Sequence, residues 1–209
     1  MTGGTELELA DWRRRVAALY AAVRAEAEPA TAHALWRAGR DALFVGHPQS
    51  PLPPGSPLRE TGLPCWPYDP ALRFEVPLGP VPAGSRTLEL PSGENGSTLL
   101  RAVGTVELGG PVGASVTVWW LEQYAGGLFL PLRDGTSGGA DPAGSSYGGG
   151  RYLLDTAKGA DLGALGERLV VDLNFLYHPS CRYDDAWLCP LAPPESSVPA
   201  RVEAGERMA

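Results

Sequence analysis

Along this chain the pattern of apolar positions changes from helical to strand-like near residue 70. Leu9, Trp12, Val16, Leu19 and Val23 recur at three- and four-residue steps, which places them on one face of an α-helix. Thr5-Glu-Leu-Glu8 precedes most of that stripe in the order of a capping box, where hydroxyl and carboxylate each accept an orphan backbone N–H. Arg13, Arg14 and Arg15 are consecutive, so they fan around the helix and predict a solvated face rather than a nucleic-acid patch. Pro29 interrupts the pattern, Thr31 stands where it can cap a second helix, and Leu35, Trp36, Leu43 and Phe44 supply that helix with apolar contacts. Residues 1–46 are expected to form a helical hairpin packed on the body, and 47–209 a single β-rich domain.

From His47 to Pro70 eight of 24 residues are proline, which excludes long helix and most sheet ladders. Trp66 and Tyr68 inside the stretch predict that it is laid down on the body, since aromatics in a free linker would expose apolar surface. Beyond it come short strand-like runs separated by Gly- or Pro-bearing turns: 73–76, 86–90, 98–108, 115–121, 128–132, 152–154 and 169–175. The run 115–121 is apolar on both faces, so it is expected at the centre of a sheet. No strand–helix alternation accompanies these runs. The fold class that follows is mainly β, an antiparallel sandwich or barrel with two N-terminal helices and proline-rich extended segments.

Composition sharpens this picture. With 209 residues, 44% of them hydrophobic and 20% charged, the chain can bury roughly 70% of its unfolded surface without metal or disulfide. The 27 glycines and 21 prolines agree with a loop-rich β protein. A formal net charge of −7 argues against nucleic acid or an anionic membrane as partner. No apolar run approaches a membrane span, and residues 1–8 lack the basic and apolar regions of a secretory signal. The expected compartment is the cytoplasm.

The candidate chemistry gathers in the second half. On the run Leu169 to Phe175, alternation sends Asp172 and Asn174 to one side, either as paired ligands to a polar group or as the wet side of an edge strand. Between Asp134 and Gly150 seven of 17 residues are glycine. Such a loop is either a flexible connection or a backbone cradle for an anion with Arg151 as countercharge. Gly144-Ser-Ser-Tyr-Gly148 matches the G-x-S-x-G pattern, and Ser146, Asp172 and His178 follow in hydrolase order. That motif needs a strand before it and a helix after it, however, and neither is expected here. Cys181 and Cys189 are eight apart, a poor fit to zinc ligand spacing. A disulfide between them is geometrically open, as is a Cys–His pair with His178. An odd third thiol, Cys65, and the absence of an export signal make reduced, inert thiols the expectation. His33 reads as a surface or packing residue.

His47-Pro-Gln-Ser-Pro-Leu52, Tyr68-Asp-Pro70, Arg73-Phe74, Tyr147-Gly-Gly-Gly-Arg-Tyr152, Asp172-Leu-Asn174, Tyr177-His-Pro-Ser-Cys181, Cys189-Pro-Leu-Ala-Pro-Pro-Glu195 and Glu203-Ala-Gly-Glu206 occur in one order. Together they make the chain similar to the bacterial and archaeal family catalogued as domain of unknown function 1684, from about residue 47 to 206. The resemblance implies one β-rich domain and supplies no activity. The chain departs from similar sequences at Glu195-Ser-Ser-Val198, where those carry Glu-Asn-Arg-Leu, and at His178, where many carry Asn.

The functional expectation is a cytoplasmic pocket for an unknown small polar molecule, with no cofactor, metal, nucleic acid or membrane involved. Tyr147, Arg151, Asn174 and Tyr177 would bind the ligand. In an enzymatic version, Asp172 or Glu195 would serve as general base after desolvation raised its pKa. The rival is a non-catalytic structural or interaction module in which Arg151, Asp172 and Glu195 meet as a folding network that pins the C-terminus across the sheet. A concave site with unpaired polar tips favours the first reading, and a filled, fully paired network the second. Oligomeric state is not legible.

Overall fold

A computed structural model describes residues 3–85, 87–91 and 96–209. Helices α1 (Gly3–Ala25) and α2 (Pro29–Gly46) are followed by a single helical turn, α3 (Leu58–Thr61). Eight strands follow among the described residues: β1 (Arg73–Pro77), β2 (Leu88–Pro91), β3 (Ser97–Leu108), β4 (Ala114–Leu121), β5 (Leu128–Leu132), β6 (Arg151–Asp155), β7 (Ala164–Leu165) and β8 (Arg168–Asp172). They form two antiparallel sheets. One is a five-stranded meander, β2-β3-β4-β5-β6, curved into a half-barrel. The other has the order β1-β8-β7. The protein is mainly β with N-terminal helices, and β4 lies at the centre of the larger sheet, as its two apolar faces require. Of the strand-like run 86–90, Arg86 lies outside the described residues.

The stripe of α1 faces inward, with Val23 buried and Leu9, Trp12, Val16 and Leu19 half-buried, while Arg13, Arg14 and Arg15 are exposed. Helix α1 already includes Gly3, so Thr5 and Glu8 lie inside it rather than at a capping box. Glu8 instead accepts a hydrogen bond from Gln49 Nε2 at 2.8 Å. Pro29 is the first residue of α2, not a break before it, because its fixed φ suits a position whose N–H has no intrahelical partner. Thr31 is consequently helical. Leu35 is exposed, and the buried face of α2 is Ala32, His33, Trp36, Leu43 and Phe44. Trp36 Nε1 donates to Tyr20 Oη at 3.1 Å, which ties the two helices together.

One apolar core joins the helices to both sheets. It includes Tyr20, Val23 and Trp36 from the helices, Val106, Val116 and Val118 from the larger sheet and Val171 from the smaller. The proline-rich segment is packed down: Leu52, Leu63 and Trp66 are buried and Tyr68 is half-buried. Strand β5 tolerates Pro131 because its pairing with β4 ends at Phe129, and a bulge between Leu130 and Pro131 shifts its register against β6.

The C-terminal segment is laid extended between the glycine-rich loop and the proline-rich segment. The N–H of Gly135 donates to Ala200 O, that of Trp66 to Gly205 O and that of Met208 to Ser145 O. Val202, Ala204 and Glu206 point inward and are buried. The glycine-rich loop is packed rather than free: Asp134, Thr136, Ser145 and Ser146 are all buried, and Thr136 Oγ1 lies 2.8 Å from Ser146 Oγ.

Candidate functional site

The six residues expected to share one site fall into separate places. Arg151 opens β6 and is fully buried. Its Nη2 donates to Asp134 Oδ2 at 2.7 Å and to Val202 O at 2.9 Å, and its Nη1 donates to Ala204 O and Glu206 O. The guanidinium lies 5.2 Å from the Trp66 ring centroid. Asp134 Oδ1 takes the N–H groups of Thr136 and Val202. Arg151 thus clamps the C-terminal segment to the glycine-rich loop. It meets neither Asp172 nor Glu195, which corrects the expected cluster. Physically, the extended tail presents a row of carbonyl oxygens that need donors, which the terminal nitrogens of Arg151 supply and a carboxylate cannot, while Arg151 Nε has no partner among the described residues.

Asp172 and Asn174 stay together but not on one strand. Strand β8 stops at Asp172, and Leu173–Phe175 form a 3₁₀ turn that the Asp172 side chain caps by accepting the Asn174 N–H. Asp172 Oδ1 accepts from Asn174 N at 3.1 Å and from Asn174 Nδ2 at 2.7 Å, and Oδ2 accepts from Tyr68 Oη at 3.2 Å. Arg73 Nε stands 3.8 Å away. Burial pushes the Asp172 carboxyl above its usual range, against the pull of these donors. Asn174 Oδ1 accepts the Asp69 N–H, and its Nδ2 donates to Asp69 O, each at 2.8 Å. Asp172 and Arg73 border a cavity of about 300 Å³ whose other walls include Val23, Pro29, Leu162, Val170 and Phe175. Glu195 is exposed and sits elsewhere, beside Thr117 and Trp119 at a surface cleft.

Tyr177 belongs to a different hollow. Trp12, Val16 and Tyr20 of α1 and Arg40 and Phe44 of α2 form one side, and Tyr152, Asp155, Lys158, Tyr177, His178 and Cys189 line the rest. About 70 Å³ is open there, room for roughly five waters or a ligand fragment of similar size. Helical spacing brings Trp12, Val16 and Tyr20 onto one face, and Trp36, Arg40 and Phe44 onto another. The Arg40 guanidinium lies between the Phe44 and Tyr177 rings, 4.6 Å from each centroid, and desolvated contacts of this kind are worth about 2 kcal/mol each. Arg40 Nε donates to Glu206 Oε1 at 2.5 Å, and Glu206 Oε2 takes the His178 N–H at 2.7 Å and Tyr183 Oη at 3.2 Å. The buried Glu206 carboxylate holds Arg40 firmly in its charged form, outweighing desolvation. His178 Nε2 accepts the Tyr147 N–H at 3.2 Å. Burial holds the His178 imidazole neutral, its pKa well below the ordinary value.

Among the described residues, two polar atoms of the residues lining this hollow are buried with no partner: Arg40 Nη2 and Asp155 Oδ1. Asp155 Oδ2 is 3.2 Å from Lys158 Nζ, whose side chain is half exposed and marks the solvent side. A residue of fixed positive charge and an acid therefore line a small aromatic space, with a lysine at its mouth. Tyr147 is near but separate, its ring edge-on to that of His178 with centroids 6.4 Å apart. Sequence reasoning reached Tyr177 and missed Arg40, Asp155 and Glu206. The signal for Arg40 was available, because it sits four residues from both Trp36 and Phe44 and so lands on the buried stripe of α2. Glu206 stands in a quoted motif without a role attached. Nothing in the sequence distinguishes Asp155 from any acid that ends a strand.

The comparisons add kinship without chemistry. No curated protein matches the chain. The solution NMR structure of an uncharacterised protein of Haloarcula marismortui is similar at 30% identity and a TM-score of 0.53, covering 82% of this chain and 90% of that one. A family profile described as protein of unknown function DUF1684 matches residues 60–207. That stretch contains Asp134, Arg151, Asp155, Tyr177 and Glu206, while Arg40 lies upstream of it. Since the profile takes in the clamp, most of the hollow and the greater part of the chain, this protein belongs to the DUF1684 family.

Proposed function

We propose that the protein binds a small polar molecule in the hollow between Arg40, Asp155 and Tyr177. The observation that carries this reading is that Arg40 and Asp155, which line one hollow, each keep a buried polar atom, Nη2 and Oδ1, with no hydrogen-bond partner among the described residues. Leaving such groups unpaired costs about 1–3 kcal/mol each, so a ligand or water that satisfies both recovers that cost. The complementary molecule carries a carbonyl or carboxylate oxygen for Arg40 and Lys158 and an N–H or O–H donor for Asp155. With about 70 Å³ available, the part held inside is of the size of a hydroxy acid, an amino acid or a simple amide. The Arg151 clamp fits the structural role raised for it, since both of its terminal nitrogens are fully engaged. The Asp172 cavity is larger, but both carboxylate oxygens there already have partners, which favours the Arg40 hollow.

The test is a thermal-shift comparison with glycolate, lactate, glycine and acetamide as probes. A ligand present at a hundred times its dissociation constant stabilises by about 2.7 kcal/mol. At least one probe should raise the unfolding temperature of the unaltered chain and fail to do so for Asp155→Ala. No response to any probe, or an equal response in the variant, overturns the reading.

A further inference from the structure

The hollow at Arg40 does not end at its mouth. Asp155 and Lys158 line it, and the same two residues line a second cleft of about 320 Å³. The two spaces are joined twice more. Tyr152 of the hollow donates its O–H to the carbonyl of Pro190 of the cleft at 2.6 Å, and its ring meets that of Phe129 of the cleft edge-on, with centroids 4.8 Å apart. The cleft differs in character from the hollow. Leu121 and Phe129 are its buried wall, while Tyr124, fully exposed, and Leu188, 63% exposed, line it toward solvent. Tyr124 rides on a turn closed by the Gly126 N–H to Gln123 O at 2.9 Å. In that turn Ala125 has φ +77°, the one non-glycine in the left-handed region among the described residues. Such a conformation persists only where its surroundings fix it, and here it holds an aromatic side chain at the rim of an apolar cleft.

Building on the ligand reading of the hollow, on which this depends, we infer that hollow and cleft are two chambers of one site for an N-acyl amino acid. Along such a molecule the carboxylate, the amide N–H, the acyl carbonyl and the hydrocarbon chain follow in that order. The site repeats the order: Arg40 lines only the hollow, Asp155 and Lys158 line both spaces, and Leu121 and Phe129 line only the cleft. Arg40 takes the carboxylate, and Asp155 Oδ1, which has no partner among the described residues, takes the amide N–H. The Lys158 ammonium, 3.2 Å from Asp155 Oδ2, donates to the acyl carbonyl. The chain then lies along Leu121 and Phe129 and is covered by Tyr124 and Leu188, as expected of a pocket mostly apolar with a few polar groups that fix orientation. A free amino acid leaves the cleft empty, and a simple fatty acid offers Asp155 no donor.

Isothermal titration calorimetry on the full-length chain with N-acetylglycine, N-butanoylglycine and N-hexanoylglycine tests this. Each methylene buried in the cleft strengthens binding about fourfold, so N-hexanoylglycine should bind roughly 50-fold or more tightly than N-acetylglycine. Hexanoate, which lacks the amide N–H, should bind at least about fivefold more weakly than N-hexanoylglycine. These comparisons use the unaltered protein. Tyr124→Ser and Leu188→Ser change exposed side chains that hold no core together. Each should cut the gain with chain length by about threefold or more and leave N-acetylglycine unaffected. Affinity that does not change with chain length, hexanoate binding as well as N-hexanoylglycine, or a gain undiminished in both variants overturns the inference. Absence of binding across the series overturns it too, and a thermal shift with glycine or lactate in that case leaves the reading of the hollow standing.

Discussion

Burying a guanidinium costs several kcal/mol unless its donors find acceptors, and Arg151, fully buried, and Arg40, partly buried, meet that cost differently. Arg151 has a carboxylate and three tail carbonyls on its terminal nitrogens. Arg40 has one carboxylate and two aromatic faces, and among the described residues its Nη2 has no partner, as Arg151 Nε has none. Arg151→Ala should therefore destabilise the fold by about 3–5 kcal/mol, because Asp134 and the tail carbonyls lose their common partner. Urea unfolding at pH 7 measures this, and a loss below about 1 kcal/mol would remove Arg151 from the role of clamp. Asp155→Ala should cost less than about 1 kcal/mol in the same assay, since Oδ1 has no hydrogen-bond partner among the described residues and Oδ2 pairs only with the half-exposed Lys158. The residue types of the clamp are legible in the sequence as a glycine loop ending in arginine. Its partner is not, because Asp134 and the tail carbonyls approach from 17 and more than 50 residues away along the chain.

At the scale of elements, the tail depends on backbone freedom at one point. Gly205 has φ +71°, and a Cβ there would run into the Leu176 carbonyl oxygen. It is this close approach that lets the Glu206 N–H reach Leu176 O at 2.8 Å and sends the Glu206 side chain under Arg40. Gly205→Ala should detach the last residues while leaving β3 and β4 intact. Amide exchange should show loss of protection at Trp66, Glu206 and Met208 with little change at Val116 or Val118, and uniform protection would contradict it. The strands were readable because alternation and Gly/Pro punctuation are local signals. The end of β8 was not: the alternation of Leu169 to Phe175 continues in sequence, but the Asp172 side chain captures the Asn174 N–H and turns the chain into a 3₁₀ turn. The same competition between local hydrogen bonding and pattern misplaces the start of α2, where proline at the first helical position outweighs Thr31 as a start signal.

For the molecule as a whole, buried neutral histidines set the response to acid. Burial lowers His33 to about 4 and His178 well below its ordinary value. Below pH 6.5 the unfolded chain binds protons at these sites that the folded chain does not, so stability rises with pH and is lost as pH falls below 6.5. Asp172, raised by burial, works in the opposite sense. Urea midpoints should fall between pH 7 and pH 5, and His33→Leu should flatten that slope by at most about 1.4 kcal/mol per pH unit. An unchanged slope would mean that His33 gains no protons on unfolding. Fold class and the body of the chain were legible because they follow from pattern. The candidate site was legible only at Tyr177, because it is assembled from α1, α2, the residues around β6 and the tail. The most direct measurement of the central claim is protein-observed NMR of the full chain titrated with glycolate, lactate, glycine and acetamide, reading the Arg40 Nε–Hε signal and the backbone amides. Perturbations concentrated on Arg40, Tyr20, Asp155 and Tyr177 are predicted. A silent Arg40, or perturbations gathered instead around Asp172 and Arg73, would contradict the account.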